Sequence, residues 1–183
     1  IVANSIENVR LTEASSITLG STATTAGIGK VYTGTGATSV VKTDTSALTV
    51  DATDLANNTT LTLDDSGVTS NINVLDLTGN ISATNLAGTL AVDLANNTVD
   101  NTLSILLGLG NASITGGHST DTVTVTGQSV AGQLIDLSGS DANHVITTGG
   151  GVQTIISGTG VDVIRTGAGS LDGTSFDRIE FHS

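Results

Sequence analysis

Ile146-Thr147-Thr148-Gly149-Gly150-Gly151-Val152-Gln153-Thr154-Ile155-Ile156-Ser157-Gly158-Thr159-Gly160-Val161-Asp162-Val163-Ile164 is the stretch on which the fold turns. Ile146, Ile155 and Ile164 are nine residues apart, and so are Gly149, Gly158 and Gly167. One buried aliphatic and one Gly-rich turn per nine residues describe a coil of parallel β-structure. Each rung is too small to bury its own apolar face. Stacked rungs share one narrow core.

The pattern extends upstream. An offset of 41 lays Ile105 on Ile146, Gly108 on Gly149, Gly110 on Gly151, Ile114 on Ile155 and Val123 on Ile164. Asp54-Leu55-Ala56-Asn57-Asn58-Thr59 returns verbatim as Asp93-Leu94-Ala95-Asn96-Asn97-Thr98, an offset of 39. The expected fold is therefore all-β, a right-handed parallel β-solenoid or β-roll, with blocks of about 40 residues over 47–183. Residues 1–46 show no nine-residue period and hold Arg10, Lys30 and Lys42. They read as an irregular N-terminal or capping region. Short β-type runs, from Val9–Glu13 to Asp177–Phe181, sit between Gly, Asn, Asp, Ser and Thr turns. Only 47–57 and 82–90 have spacing for a turn of helix.

Composition agrees with a narrow core. Among 183 residues there are 32 Thr and 23 Gly, one Tyr, two Phe, and no Trp, Cys, Met or Pro. A thin interior has no room for large rings, and Pro would remove a ladder N–H at every rung. Val, Ile and Leu recur throughout, which argues against a disordered chain. Without Cys there is no disulfide framework and no thiolate metal site. The net charge of −12 makes nucleic acid and anionic membrane poor partners. No apolar run approaches a membrane span. The chain starts at Ile1 with neither initiator Met nor signal peptide, which points to a processed chain or a fragment.

The acid is mostly Asp, fourteen against three Glu. Asp forms turns, and it is also a hard-oxygen ligand for Ca²⁺. Two segments approach the Ca²⁺-binding nonapeptide G-G-x-G-x-D-x-U-x. They are Gly116-Gly117-His118-Ser119-Thr120-Asp121-Thr122-Val123-Thr124 and Ser157-Gly158-Thr159-Gly160-Val161-Asp162-Val163-Ile164-Arg165. Two more keep the spacing but carry Ala112 and Gln153 at the Asp position. The glycines would let carbonyls turn toward a cation, the Asp would supply charge, and the aliphatic residue would bury itself. Asp121 and Asp162 are the leading metal candidates, followed by Asp100, Asp141 and Asn143. The alternative is that Gly and Asp serve only as turn formers.

These nonapeptides, with Leu48-Thr49-Val50-Asp51-Ala52, Val74-Leu75-Asp76-Leu77-Thr78-Gly79-Asn80 and Leu134-Ile135-Asp136-Leu137-Ser138-Gly139, resemble RTX-type proteins secreted by bacterial type I systems. The likeness is to their surface-layer and giant-adhesin members and covers roughly 47–170. It implies a secreted, Ca²⁺-dependent β-solenoid on the bacterial cell surface that assembles with copies of itself into a lattice or filament. Few nonapeptides are intact, so the resemblance does not set the number of ions.

Other chemistry has little support. His118, His144 and His182 form no zinc motif, and His118 and His144 read as surface residues. No G-x-S-x-G is present. Asp64-Asp65 reads as a turn or cation contact before an acid–base pair. The expectation is a structural protein and not an enzyme. The alternative is a β-helical adhesin or carbohydrate-binding module recognising cell-surface polysaccharide. Its aromatic platforms would have to come from Tyr32, Phe176 and Phe181. A β-helical polysaccharide-acting enzyme would need more basic and aromatic residues than this chain holds.

Overall fold

The computed structural model describes residues 6–65, 67–95, 102–117, 122–127, 132–167 and 177–182. The chain winds as a β-solenoid in which each coil gives one short strand to each of two parallel sheets. The first coils hold β1 (Asn8–Arg10), β2 (Ser15–Leu19), α1 (Ser21–Thr25), β3 (Lys30–Tyr32) and β4 (Thr38–Lys42). The middle coils hold β5 (Leu48–Asp51), β6 (Thr60–Asp64), β7 (Ile72–Leu75), β8 (Asn80–Asn85), β9 (Leu90–Asp93) and β10 (Thr102–Leu106). The last coils hold β11 (Ala112–Thr115), β12 (Thr122–Thr126), β13 (Gln133–Asp136), β14 (Val145–Thr147), β15 (Gln153–Ile156), β16 (Val163–Arg165) and β17 (Arg178–Glu180). Odd-numbered strands form a nine-stranded sheet and even-numbered strands an eight-stranded one.

Alternation along each strand turns one set of side chains between the sheets. Val31, Val50, Val74, Val92, Ile114, Ile135 and Ile155 stack in register as one buried column. Leu61, Ile81, Ile105, Val125 and Ile146 form a facing column in the other sheet. Among the described residues no aromatic ring enters this core; Tyr32 points outward, and Phe181 is exposed.

The sequence periods now have a structural meaning. Nine residues carry the chain from one sheet to the other, from Ile105 in β10 to Ile114 in β11. The offset of 41 is two coils: Ile105 pairs with Val125, which pairs with Ile146. Coil length varies from 18 residues between Val74 and Val92 to 24 between Val50 and Val74. The verbatim hexapeptide does not keep register. Asp93 ends β9 at the level where Asp51 ends β5, whereas Asp54 lies beyond the corner and pairs with Arg10. Residues 96–98 of its second copy lie outside the described residues.

Position 46 is not a break in either sheet. β3 pairs with β5, and β4 with β6, in parallel register. The first coils depart from the rung pattern in their connections, which include α1. Ile17 in β2 and Val31 in β3 lie 14 residues apart, so the nine-residue step from sheet to sheet is lost there. The helical turns expected at 47–57 and 82–90 are not found. Val50 and Ala83 point into the core from β5 and β8.

Glycines mark places where coils touch backbone to backbone. A Cβ on Gly158 would lie 1.7 Å from Ser140 O, and one on Gly160 would lie 2.0 Å from Ala142 O. The G-x-G of the nonapeptide is thus required by close stacking, whatever else it does.

Candidate metal centre

The corner leading into β14 and β16 gathers three of the five nominated residues. Asp141 and Asn143 lie on one coil and Asp162 on the next. Each is already bonded across the gap between coils. Asp141 Oδ1 accepts the Thr159 hydroxyl at 2.7 Å. Asn143 Oδ1 accepts the Val161 N–H at 2.7 Å, and Asp162 Oδ1 accepts the His144 N–H at 2.8 Å. Asp162 Oδ2 is buried without a hydrogen bond. Asp100 and Asp121 lie outside the described residues.

The motif Asp position can now be read physically. It faces inward at the start of a strand, where Ala112 and Gln153 are buried. There the parallel ladder has just begun and a backbone N–H of the preceding coil lacks a carbonyl partner. Asp162 supplies the missing acceptor for His144, and Asp177 Oδ1 does so for Gln153 at 3.0 Å.

His144 corrects the surface reading given to it. It is fully buried, stacked in register on Val123, and its Nδ1 accepts the Val123 N–H at 3.1 Å. A ring nitrogen that accepts carries no proton, so His144 is neutral with hydrogen on Nε2. His182 is exposed, and His118 lies outside the described residues.

At the opposite corner, after the strands of the nine-stranded sheet, Asp is a turn former. Asp51, Asp93 and Asp136 accept the N–H two residues on, from Thr53, Ala95 and Ser138. Burial alone would raise the Asp51 carboxyl. The Thr53 hydroxyl, the Lys30 ammonium at 2.9 Å and the Thr53 N–H outweigh it and hold the group below the usual carboxylate range. The segments around Asp51, Asp93 and Asp136 are therefore corner phrases, with the Asp closing the turn and Ala52, Leu94 or Leu137 buried beyond it. Asp65 likewise serves a turn: it is fully buried, and its Oδ2 accepts the Ala87 and Gly88 N–H groups at 2.9 and 2.8 Å. Asp65 Oδ1 has no partner.

A buried ion pair escaped the sequence reading. Lys42 ends β4 facing inward, 1% exposed, with Nζ 2.7 Å from Asp44 Oδ1 and 2.7 Å from Ser46 Oγ. Thr24 of α1 donates to Asp44 Oδ2 at 2.8 Å, tying the helix to this cluster. The Lys42 ammonium first, then the Ser46 hydroxyl, holds the Asp44 carboxyl far below the carboxylate range. The alternation Thr38-Ser39-Val40-Val41-Lys42 was the available signal, because it places Lys42 on the core side with Val40.

Among the described residues, no three His, Cys, Asp or Glu side chains converge as a metal cluster. At this corner Asp162 Oδ2 is a buried carboxylate oxygen without a hydrogen bond, while Asp141 Oδ1 and Asn143 Oδ1 are engaged in bonds between coils. Elsewhere, a depression of about 670 Å³ beside α1 is walled by aliphatic and hydroxyl side chains such as Ile17, Leu19, Thr22 and Ile28. The Tyr32 ring is flanked by Arg10 and Lys30, at 5.1 and 4.4 Å from its centroid. Phe176 lies outside the described residues. No helix among the described residues is long and apolar enough to cross a membrane. Compared with protein-family models, curated proteins and solved structures, the chain gives no match.

Proposed function

We propose that the chain is a structural, non-catalytic protein of a bacterial cell surface, secreted and assembled from copies of itself with Ca²⁺ bound. The observation that carries this reading is the continuous stack. Parallel register runs from β1 to β17, so both sheet faces repeat similar contacts at every rung. Secretion and surface location rest on the RTX-type resemblance. The Ca²⁺ component rests on Asp162, with Asp141 and Asn143 beside it and Asp100 and Asp121 as further candidates. With few carboxylates per ion, the expected affinity is about 10⁻⁴–10⁻³ M, as in extracellular modules.

The test is dialysis against excess chelator, read by electron microscopy and circular dichroism melting. Assemblies are expected to fall to monomers and melting to shift downward. The β signal should persist at low temperature, because the apolar columns do not depend on an ion. Unchanged assembly and melting would remove Ca²⁺ from the proposal. A protein monomeric with and without Ca²⁺ would remove self-assembly. The adhesin or carbohydrate-binding alternative draws on Tyr32 and the exposed Phe181, the two described residues among the three expected to act as aromatic platforms in a groove. Retention on a glycan array would favour it.

A further inference from the structure

We infer that the outer face of the eight-stranded sheet is the surface on which one copy of the chain lies against another. This rests on the self-assembly reading and assigns the face it uses. Alternation turns Ser39, Thr62, Ser82, Ser104, Thr124 and Thr126 outward. Register stacks Ser39 on Thr62 on Ser82, and Ser104 on Thr124. Among the described strand positions of this face the outward charges are Asp64 and Arg165, and Asp64 already accepts the Asn85 amide at 3.1 Å.

The nine-stranded sheet presents a different outer face. Lys30, Asp51, Asp93, Asp136, Arg178 and Glu180 point outward from it. Copies that each carry a charge of −12 repel one another. Stripping water from a carboxylate costs several kcal/mol unless a partner replaces it. The approach that costs least is therefore through the face nearly free of carboxylates. Its outward side chains are mostly short Ser and Thr, with Val41, Leu106, Val145 and Val163 adding apolar surface between them. Methyl groups supply apolar contact, and hydroxyls pair with hydroxyls. Eight strands about 4.8 Å apart, about five residues long at about 3.3 Å each, give roughly 600 Å² per copy. A stable pair needs about 800 Å² per partner. One such contact is weak alone, and it holds when many copies repeat it.

Two doubly substituted proteins with the same added charge test the assignment. Ser104→Asp with Thr124→Asp marks the proposed face; Ser113→Asp with Thr115→Asp marks the outer face of the other sheet. Sedimentation in Ca²⁺ is expected to show association at least tenfold weaker for the first and within twofold of the parent for the second. Circular dichroism checks that both are folded. Because the chain has no Cys, a Ser104→Cys variant gives an independent reading. It should oxidise to disulfide-linked dimers at least tenfold faster than Ser113→Cys. If both charged variants weaken association alike, or Ser113→Cys couples as fast, the face is wrong while self-assembly stands. If the parent never associates, the assignment falls together with the reading beneath it.

Discussion

Gly88→Ala is expected to unfold the middle of the solenoid or lower its stability by about 4 kcal/mol or more, read by urea denaturation. The added Cβ would lie 1.6 Å from Ser70 O and 2.6 Å from Ser70 N. Both atoms are backbone, so no side chain can swing away. The coils must separate, and separation takes hydrogen bonds with it. Gly88 N–H is bonded to Asp65 Oδ2 at 2.8 Å, and Leu86 accepts from Leu109 N–H at 2.9 Å in the same turn. Gly110 is stacked on Gly88 in the same way, 1.8 Å from Gly88 O at its Cβ position, so the strain spreads upward. Gly29→Ala is the control. Its Cβ position is open and its φ is not in the left-handed region. That change is expected to fall within about 0.5 kcal/mol of the parent, or to stabilise slightly by restricting the unfolded chain. Equal effects at the two glycines would contradict the coil-on-coil contact.

Asp44→Ala is expected to cost about 3 kcal/mol, and Lys42→Met much less. Lys42 is buried, and losing Asp44 leaves its ammonium without a carboxylate and with the Ser46 hydroxyl as a neighbour. Lys42→Met removes the buried charge and keeps the volume. Asp44 then still accepts from Thr24 and Ser46. The acid side carries a matching signature. Asp44 has its folded pKa depressed, so its contribution is fully present above the ordinary Asp value near 4. It is lost progressively as pH falls below that value toward the folded one. Stability measured from pH 6 downward should therefore fall below about pH 4 in the parent and fall less in Asp44→Asn. A parallel decline in both would show that Asp44 is not the group being titrated.

The legibility of this chain differs from residue to residue. Ile105, Ile114, Ile146 and Ile155 could be read because a buried aliphatic at each sheet crossing leaves a period in the chain itself. Gly158 and Gly160 could be found but not interpreted. A metal cup and a close coil contact both require the absence of a Cβ, and only the neighbouring carbonyls of Ser140 and Ala142 distinguish them. Asp162 was found for its motif, yet its bond to the His144 N–H depends on which backbone group lies one coil below. Lys42 is hidden because a polar residue in a strand is ordinarily outward, and His144 because a polar residue just before a strand reads as part of a turn. Each is inward here because the in-register neighbour, Leu19 or Val123, fixes that side of the sheet as the core.

By itself the sequence determined that the chain is β-structure wound in coils. Alternation, turn residues and a small-residue interior are local properties that every rung repeats. Only the tertiary structure decided what each Asp and Gly does. For Asp65, Asp162, Gly88 and Gly158 the partner is supplied by the neighbouring coil, and coil length varies from 18 to 24 residues. Variable coil length also explains why identical hexapeptides take different places in the stack. Register is set by burying the aliphatic columns, and the turns between them adjust to whatever length remains.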